Sequence, residues 1–575
     1  MPIHNTDIAD IFNKVANLLD IEGANPFRVR AYRNAARTLS SLPRNVSDMI
    51  AENHDLTNLA GIGKDLAGKI KEIVETGSLS QLEEIESKTP AELNRLMKIS
   101  GLGPKRVKAL HRNLGISGLK ELREAAEKEK IRKLDGFGPK TEQAILEDLE
   151  RMGGQKERIK LPEAEQRAGP LLAYLKKVNG LREIIVAGSF RRRKETVGDL
   201  DILVTCKKGS RVMDRFAGYE DVRKVISKGK TRSSVVLRSG LQVDLRVLPQ
   251  VSYGAALHYF TGSKSHNIAV RKLAVKKGLK INEYGVFKKD KRIAGKTEKE
   301  VYDTVKLAFI EPELRENRGE VEAARQGRLP DLIKVEDLRG DLHAHTKETD
   351  GHNSLEEMAK AAKDRGYEYI AITDHSKKVA MAKGLDAGRL KKQIKEIDRL
   401  NEKLDGIIVL KGIEVDILND GSLDLPDEIL KELDLTVCSV HYNRNLSKNK
   451  QTERIIRAMD NPYFNILGHP TGRLINERDP YEIDLEKIME AARDRGCFLE
   501  INAHPDRLDL PARYCKMARD MDLKVAISTD AHSLADLDFV RFGIYQARRG
   551  WLEAKDVLNT RSWKQLKKML QRTKP

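Results

Sequence analysis

The sequence predicts a multidomain protein in which an α-helical region, an α/β domain and a repeated βα domain follow one another. Residues 1–150 carry apolar side chains at three- and four-residue spacing, which is typical of helices. Residues 151–310 alternate short strand and helix patterns, and the later residues place polar groups after regularly spaced apolar runs. The length of 575 residues also exceeds that of one ordinary domain.

The composition predicts a protein without a membrane partner. Charged residues make up 33% of the chain, and it contains no apolar stretch of about 18 residues. The N-terminus lacks the basic-then-apolar pattern of an export signal. The 4 cysteines show no CxxC pairing, so we expect them to be reduced and mostly buried. These features predict a cytoplasmic protein, and we expect a monomer.

The net charge of +18 is unevenly distributed along the chain. Residues 1–160 carry +3, residues 161–330 carry +16, and residues 331–575 carry −1. The basic excess therefore lies almost wholly in the middle segment, where it favours binding of a polyanion.

A short glycine motif occurs three times in the helical region. Gly61-Ile62-Gly63, Gly101-Leu102-Gly103 and Gly136-Phe137-Gly138 each precede an amphipathic helical pattern and lie near a lysine. Two glycines let the backbone approach a phosphate, which the N–H groups at the helix start can bind. One copy would indicate a plain turn, but three resemble helix-hairpin-helix elements, which bind DNA backbones without reading sequence. The predicted DNA-binding residues are Gly61, Gly63, Gly101, Gly103, Lys105, Gly136, Gly138 and Lys140.

The middle domain contains a turn between two apolar runs. Gly188 and Ser189 follow the first run, basic residues come next, and Asp199 and Asp201 lie one residue apart on the second run. If that run is a strand, both carboxylates face the same side of the sheet. Asp244 lies on a further apolar run. Three convergent carboxylates near arginines suit divalent cations and a polyphosphate, and they predict a two-metal phosphoryl-transfer site.

This arrangement resembles the nucleotidyltransferase palm of the family X DNA polymerases, whose pattern continues through residues 259–263 and 281–285. The resemblance implies Mg²⁺ or Mn²⁺ at the three catalytic aspartates, with dNTPs and gapped or primer-template DNA as substrates. Tyr259 and Phe260 would line the side of the nucleotide site that holds the sugar. Asn267 and Arg271, four residues apart on a helix, would face the minor groove of the nascent base pair. The implied nucleotide-binding residues are Gly188, Ser189, Arg192, Tyr259, Phe260, Gly262, Asn267, Arg271 and, as a weaker candidate, Arg158.

Histidines are concentrated in the last part of the chain, with 8 of the 13 after residue 331. Most of them follow short apolar runs, at the strand ends where βα barrels build their sites. An isolated histidine is usually structural, but six with Asp and Glu at successive strand ends form a mixed nitrogen and oxygen ligand set. Such a set, lacking cysteine, suits zinc, manganese or iron.

The histidine pattern resembles the polymerase-and-histidinol-phosphatase (PHP) family. This resemblance implies a distorted (β/α)7 barrel with three ions, Zn²⁺ and/or Mn²⁺. The implied ligands are His343, His345, Glu414 and Asp530 at one ion, Glu414, His441 and His469 at the second, and Asp350, His375 and His532 at the third. We expect His352 to be a surface residue, and His504 and Arg507 to contact a substrate phosphate.

The N-terminal region resembles the lyase domain of DNA polymerase beta. Counted from the first glycine motif, Lys69 falls where that family has its Schiff-base lysine. A lysine of lowered pKa can attack the sugar aldehyde at an incised abasic site, and Lys64 and Lys71 would lower the pKa of Lys69. The alternatives are that Lys69 only pairs with a 5′-phosphate, or that the adjacent Asp65, which departs from the family pattern, raises its pKa.

Together these patterns predict gap-filling DNA synthesis in repair, as in base excision repair, with 3′–5′ exonuclease activity in the PHP domain. Abasic-site endonuclease activity remains open. The alternatives are a small-molecule phosphoesterase with a nucleotidyltransferase appendage, or a catalytically idle DNA-binding scaffold. The predicted parts are a lyase-like helical domain (1–85), a helix-hairpin-helix subdomain (86–155), the palm and nucleotide-binding subdomain (156–315), a linker (316–338) and the PHP domain (339–575).

Overall fold

Helices form nearly all of the regular structure before residue 158. The computed structural model describes residues 3, 5–42, 45–86, 89–90, 92–97, 99, 101–154, 158–206 and 209–571. Their contacts divide the chain into a first unit of residues 1–174, 217–226 and 235–242 and a second unit of the remaining residues. Among the described residues, no helix is both long and apolar enough to cross a membrane.

The first unit is built from short amphipathic helices. Its longest helices pack through an edge-to-face pair of Phe12 and Tyr32, whose ring centroids are 5.4 Å apart. The second helix begins where Asn25 accepts a hydrogen bond from the backbone N–H of Phe27, with Pro26 in its first turn. The helices are α1 (Asn5–Glu22), α2 (Pro26–Ser41), α3 (Val46–Ala51), α4 (Lys64–Thr76), α5 (Ser80–Glu86), α6 (Leu93–Leu96), α7 (Pro104–Leu114), α8 (Leu119–Glu127), α9 (Pro139–Gly154) and α10 (Leu161–Lys176).

A five-stranded sheet forms the middle of the chain. Its order is β2 (Leu181–Val186), β4 (Asp199–Cys206), β7 (Gln242–Leu248), β6 (Arg232–Leu237) and β5 (Val222–Lys228). β2 pairs antiparallel with β4, so that Val186 lies opposite Ile202. The elements of this region are β1 (Ile159–Lys160), β2 (Leu181–Val186), α11 (Gly188–Arg191), β3 (Thr196–Val197), β4 (Asp199–Cys206), α12 (Gly209–Ala217), β5 (Val222–Lys228), β6 (Arg232–Leu237) and β7 (Gln242–Leu248).

Four helices and a small antiparallel sheet follow, and this part of the chain contributes to a buried ionic network. Glu298 accepts hydrogen bonds from Arg191 on α11 and from Arg315, which is fully buried. These attractions outweigh the effect of burial and lower the pKa of Glu298 to about 2. The elements are α13 (Tyr253–Thr261), α14 (Lys264–Lys276), β8 (Leu279–Asn282), β9 (Gly285–Lys288), β10 (Lys291–Ala294), α15 (Glu298–Thr304) and α16 (Glu320–Arg325).

The segment predicted as a linker, residues 316–338, is folded as part of the second unit. Glu320 is fully buried and forms a 2.7 Å hydrogen bond with Nδ1 of His266 on α14. The backbone N–H of Ile333 donates to the carbonyl of Leu552 at 3.0 Å. This segment is therefore folded rather than a free linker, with Glu320, Leu332 and Ile333 buried and most of its other charged side chains exposed.

The last region is a parallel barrel with helices outside it. One sheet has three strands, β11 (Gly340–Ala344), β12 (Tyr369–Ile372) and β13 (Ile408–Lys411). The other has five, β14 (Glu414–Asp416), β15 (Val437–Ser439), β16 (Ile466–Leu467), β17 (Phe498–Asn502) and β18 (Val525–Ser528). Bridges between Ala344 and Ala531 and between His375 and Glu414 join the two sheets. β13 and β14 are interrupted only at residues 412–413, so within the described stretch 339–571 seven strand positions surround the core. The predicted fold class is confirmed.

Strands and helices alternate along the barrel from β11 to β18, except that β13 is followed directly by β14. Free cysteines lie in this core at 438, 497 and 515, all buried as predicted. The elements are β11 (Gly340–Ala344), α17 (Leu355–Asp364), β12 (Tyr369–Ile372), α18 (Ala387–Asn401), β13 (Ile408–Lys411), β14 (Glu414–Asp416), α19 (Asp427–Leu430), β15 (Val437–Ser439), α20 (Lys448–Ala458), β16 (Ile466–Leu467), α21 (Leu485–Arg495), β17 (Phe498–Asn502), α22 (Ala512–Asp520), β18 (Val525–Ser528), α23 (Val540–Arg549) and α24 (Trp563–Leu570).

Candidate active sites and DNA-binding surface

The three glycine motifs have the same geometry. In each copy the central apolar residue (Ile62, Leu102 or Phe137) is buried. The first glycine of each copy has a positive φ, between 68° and 80°, and a helix begins directly after the second. Lys105 and Lys140 are exposed in the first turns of α7 and α9. Each motif therefore presents backbone N–H groups at a helix start with a lysine in the first turn (Lys64, Lys105 or Lys140), as phosphate binding requires.

The three aspartates of the middle domain lie on neighbouring strands. Asp199 and Asp201 alternate along β4 with the fully buried Leu200 and Ile202, so both carboxylates point to the same face. Asp244 lies on the adjacent β7. Strand alternation and strand order thus bring together the three carboxylates that the sequence predicted.

The glycine before this triad is required by close packing. Gly188 has φ +62°, and a Cβ atom there would lie 2.7 Å from Oδ2 of Asp201. The backbone N–H of Ala187 donates to the carbonyl of Asp201 at 2.7 Å. The turn that carries Ser189 is therefore fixed directly against the carboxylates of the triad.

The charges of the triad repel one another. Burial and the carboxylates of Asp199 and Asp244 raise the pKa of Asp201 to about 6, although Arg246 and Arg192 oppose the shift. Three hard oxygen donors with unfavourable mutual charge are a donor set that a divalent cation would stabilise. The residues of the triad therefore fit Mg²⁺ or another hard divalent ion.

Arg192 lies next to the glycine–serine turn. Its Nε donates to Oε1 of Glu316 at 3.0 Å, and its guanidinium also donates to the carbonyl of Thr261. Gly262, at φ +67°, is close to this guanidinium, because a Cβ atom there would lie 3.2 Å from Nη1 of Arg192. A triphosphate bound at Arg192 would add to, or replace, its contact with Glu316.

The predicted sugar and base-pair contacts lie on α13 and α14. Tyr259 and Phe260 pack edge to face at 5.1 Å, and Arg246 lies over the Phe260 ring at 4.5 Å. The side-chain amide of Asn267 donates to the carbonyl of Tyr259 at 2.7 Å, and Arg271 is one helical turn further along. Asn267 is buried, and its hydrogen bond orients the Tyr259 backbone. Arg158 is exposed and precedes β1, in the first unit.

The barrel brings the nine predicted ligands to one end of its strands. Eight of the nine form three overlapping groups, and within each group one possible ligand atom per residue lies within 4.8 Å of the others. The ninth, His469, joins the cluster through its contact with Glu414. Oε1 of Glu414 lies 3.0 Å from Nε2 of His469 and 3.3 Å from Nε2 of His441, and its Oε2 lies 2.8 Å from Nδ1 of His375. Glu414 is therefore the central carboxylate of the cluster. The groups are His345, Asp350, His375 and His532; His343, His345 and Asp530; and His375, Glu414 and His441.

Several polar atoms of this cluster are buried without a hydrogen bond of acceptable geometry among the described residues. They include Nε2 of His343, Nδ1 of His345, Nδ1 of His375 and Oε2 of Glu414. Leaving such atoms unsatisfied is costly. His469 and Asp530 also have positive φ values, +27° and +55°, which residues other than glycine adopt infrequently. The cluster therefore fits divalent metal ions, which would satisfy the nitrogen and oxygen donors together.

A second layer of carboxylates orients the ligands, and its roles could not be assigned from the sequence. Oε1 of Glu500 lies 2.7 Å from Nδ1 of His343, and its Oε2 accepts from the backbone N–H of His469 at 2.7 Å. Asp416 lies 3.4 Å from Nδ1 of His441. Such contacts fix the orientation of a ligating histidine. The only sequence signal for Glu500 and Asp416 was their position on apolar strands of the barrel.

The predicted lyase residue has an acidic partner. Nζ of Lys69 donates to Oδ2 of Asp65 at 2.5 Å and lies 5.3 Å from the centre of the Tyr32 ring. Burial opposes the shift, but the hydrogen bonds to Asp65 and Tyr32 raise the pKa of Lys69. Asp65 thus favours the charged ammonium over the neutral, nucleophilic amine.

Comparison with protein families assigns each part of the chain. Five family models match: the helix-hairpin-helix domain at residues 3–79, the SAM-like helix-hairpin-helix tandem at 93–151, the DNA polymerase beta palm at 158–253, the DNA polymerase beta thumb at 256–316, and the PHP domain at 341–504. These domains define a nucleotidyltransferase joined to a PHP barrel.

Individual relatives support the same assignment. The chain is 38% identical over 574 residues to the DNA polymerase/3′–5′ exonuclease PolX of Bacillus subtilis, with 99% of this chain and 100% of that protein covered. A probable phosphatase of Thermoanaerobacter sp. (strain X514) is 34% identical over 233 residues, which cover 38% of this chain and 89% of the phosphatase. The chain therefore belongs to the family X DNA polymerases that carry a C-terminal PHP domain.

Proposed function

We propose that this protein is a DNA-directed DNA polymerase that fills short gaps during repair, and a 3′–5′ exonuclease through its PHP domain. The observation that carries the polymerase reaction is the triad of Asp199, Asp201 and Asp244, packed under the turn of Gly188. The exonuclease rests on the nine-residue cluster of the barrel. The full-length similarity to a polymerase that is also an exonuclease supports both activities in one chain.

In the polymerase reaction, the three carboxylates of the triad would hold divalent ions beside the reacting phosphate and the primer 3′-hydroxyl. When bound, divalent ions supply positive charge that activates the attacking hydroxyl and stabilises the charge developing on phosphorus. Ser189 and Arg192 bind the triphosphate, and Tyr259 and Phe260 contact the deoxyribose and exclude a 2′-hydroxyl. Asn267 and Arg271 contact the minor-groove side of the nascent base pair. Arg158 is a further triphosphate contact.

In the exonuclease reaction, the barrel residues hold the scissile phosphate at the strand ends. Nε of Arg507 lies 3.6 Å from Oδ2 of Asp530, so its guanidinium can contact a phosphate bound beside that ligand. His504 is partly buried on the same loop. We assign Mg²⁺ or Mn²⁺ to the palm and three ions, Zn²⁺ and/or Mn²⁺, to the barrel, with the ligand groups predicted from the sequence.

The N-terminal helices bind the DNA backbone through the three glycine motifs. The first motif precedes Lys69, and we propose that Lys69 acts as a lyase nucleophile only to the extent that Asp65 permits its deprotonation. We propose that each activity belongs to its own predicted part of the chain: DNA binding to residues 1–155, synthesis to 156–315 and degradation to 339–575, with 316–338 connecting the last two. Similarity to the probable phosphatase covers 38% of this chain, so it does not account for the whole chain as the full-length similarity to the polymerase does.

A single assay distinguishes this function from its alternatives. Purified protein is incubated with a gapped, end-labelled primer-template with and without dNTPs, in Mg²⁺ and in Mn²⁺. We expect extension with dNTPs and shortening of the primer without them. A protein that hydrolyses small phosphomonoesters but neither extends nor shortens the primer would be a phosphoesterase, and binding without any turnover would indicate a scaffold.

A further inference from the structure

The connecting segment, residues 192–195, joins the nucleotide-binding turn to the strand that begins at Asp199. It contacts residues of the PHP barrel. Glu195 accepts hydrogen bonds from both terminal nitrogens of Arg473, at 3.1 and 2.8 Å, and from Nε2 of Gln546 at 2.5 Å. Two parallel bonds from one guanidinium fix the position of a carboxylate more closely than a single contact does.

A second contact lies at the other end of the connecting segment. Nη1 of Arg549, near the end of α23, donates to the backbone carbonyl of Arg192 at 2.8 Å. The same nitrogen lies 3.3 Å from Oε1 of Glu316, which also accepts from Nε of Arg192. Arg549 is buried at 6% exposure, so its charge is directed to these partners and not to solvent.

The conformation of the connecting segment needs support. Arg193 has φ +53°, a left-handed conformation that residues other than glycine adopt only when their surroundings hold them there. Its guanidinium lies 4.5 Å from the centre of the Tyr545 ring, again on α23. Three residues of α23, namely Tyr545, Gln546 and, one turn on, Arg549, thus contact the connecting segment.

We propose that Arg473, Gln546 and Arg549 of the PHP barrel are positioning residues for the polymerase reaction. They hold the connecting segment so that Ser189 and Arg192 present their donors to the incoming triphosphate. This inference rests on the proposed polymerase function. It assigns the barrel a role in nucleotide binding that is independent of its own phosphodiester chemistry.

The test uses the full-length protein with substitutions on both sides of the contact. Glu195→Gln and Arg473→Gln each remove the charge of one partner, Arg549→Gln removes the bond to the Arg192 carbonyl, and Arg473→Lys is the conservative variant. Arg495→Gln is the matched control, because Arg495 forms an ion pair of 2.7 Å with Asp460 within the barrel. Single-nucleotide gap filling, primer degradation and the thermal midpoint are measured for every variant.

We expect Glu195→Gln and Arg473→Gln to raise the KM for dNTP by about tenfold, with kcat within about threefold of wild type. The double variant should show no more than the larger single effect, because both substitutions break the same contact. Arg473→Lys should restore part of the affinity. Primer degradation and the thermal midpoint of Glu195→Gln and Arg549→Gln should match those of Arg495→Gln. Arg473→Gln also removes hydrogen bonds to the carbonyls of Arg507 and Leu508, so its primer degradation is compared with that of Glu195→Gln.

Two results would overturn the inference. One is an unchanged KM for dNTP in all variants while wild type extends normally. The other is a parallel loss of extension, degradation and thermal stability, which would show that these contacts only maintain the fold. If wild type itself failed to extend a gapped primer, the proposed polymerase function would be wrong, and this inference would fail with it.

Discussion

The palm and the PHP barrel both gather divalent-metal ligands, but they balance charge differently. The palm uses three carboxylates that repel one another, with Arg246 and Arg192 as the opposing charges near Asp201. In the barrel, Glu414 lies against several histidines, which lower its pKa far below the usual value despite burial. The palm therefore depends on added cations to bring its carboxylates together, whereas the barrel largely neutralises its own charge.

This difference has a consequence for function. A site that needs cations to offset repulsion suits ions that arrive with the triphosphate and leave with pyrophosphate. A buried, mixed cluster with oriented ligands suits ions that stay bound between turnovers. The predictions below test whether the two sites are separable and whether their metals behave in these two ways.

Loss of one central carboxylate at each site should have the largest effect. We expect Asp199→Ala to abolish primer extension and leave primer degradation within about twofold of wild type, because the two sites use different ligands. Glu414→Ala should do the reverse, since Glu414 contacts ligands of more than one group. Both variants are assayed on the same gapped substrate, with circular dichroism as the folding control. Loss of both activities in a folded Asp199→Ala variant would refute separate sites.

The two sites should lose their metal ions at different rates during chelation. After brief treatment with EDTA followed by gel filtration, extension should need added Mg²⁺ or Mn²⁺, while degradation should persist without it. Prolonged treatment with a strong chelator should then abolish degradation and lower the thermal midpoint of the barrel, because its buried donors would be left unsatisfied. Metal content by elemental analysis accompanies each step. Equal loss of both activities after the brief treatment would contradict the comparison.

Substitution of Arg192 should affect nucleotide use more than DNA binding. Loss of a charge-assisted contact to the triphosphate costs about 1.5–3 kcal/mol, or roughly 10–150-fold. We expect Arg192→Ala to raise the KM for dNTP in this range and to leave the Kd for gapped duplex nearly unchanged. Fluorescence anisotropy without dNTP measures the second quantity. A similar loss in both would make Arg192 a DNA-backbone contact.

The pH dependence of metal binding should differ between the sites. Asp201, with its pKa raised to about 6, is protonated below that pH, so metal affinity at the palm should fall by up to about tenfold per pH unit below 6 and level off above it. In the barrel, Glu414 and Asp350 overcome burial and raise the pKa of His375 to about 10. A ligating histidine must lose its proton, so barrel affinity should keep rising above pH 7.

These two profiles are measured by Mn²⁺ titration of the metal-free protein. Glu414→Ala isolates the palm, and Asp199→Ala isolates the barrel. Proton release on binding at pH 7.5 should be larger for the barrel than for the palm. Identical pH profiles would mean that the two charge environments do not control metal binding.

Much of the palm site and the barrel ligand set could be predicted from sequence, because the signals are local. Alternation along one strand places Asp199 and Asp201 together, and the polar residues at successive strand ends converge in any βα barrel. The support around these residues could not be predicted in the same way. Glu500 stands among apolar strand residues, and Arg549 meets the Arg192 carbonyl across 357 positions of sequence. Such contacts depend on how complete elements pack.

The helical region shows how one neighbour can change a role that a local motif predicts. The position of Lys69 after the first glycine motif predicts a nucleophile, but Asp65, one helical turn before it, raises its pKa. An exposed pair of this spacing is worth roughly 0.3–0.5 kcal/mol, or about twofold in the fraction of neutral amine. The smallest expected effect is therefore an increase of about twofold in the rate of Schiff-base formation for Asp65→Asn.

Borohydride trapping on a 5′-deoxyribose-phosphate substrate measures this rate. We expect a weak adduct with wild type, a stronger one with Asp65→Asn and none with Lys69→Ala. Lys71→Ala is the control, because it removes a nearby lysine of the same helix. An adduct that survives Lys69→Ala, or no adduct with either wild type or Asp65→Asn, would reject Lys69 as the nucleophile. Lys69 would then be a contact for the 5′-phosphate, the role for which a fully charged ammonium is suited.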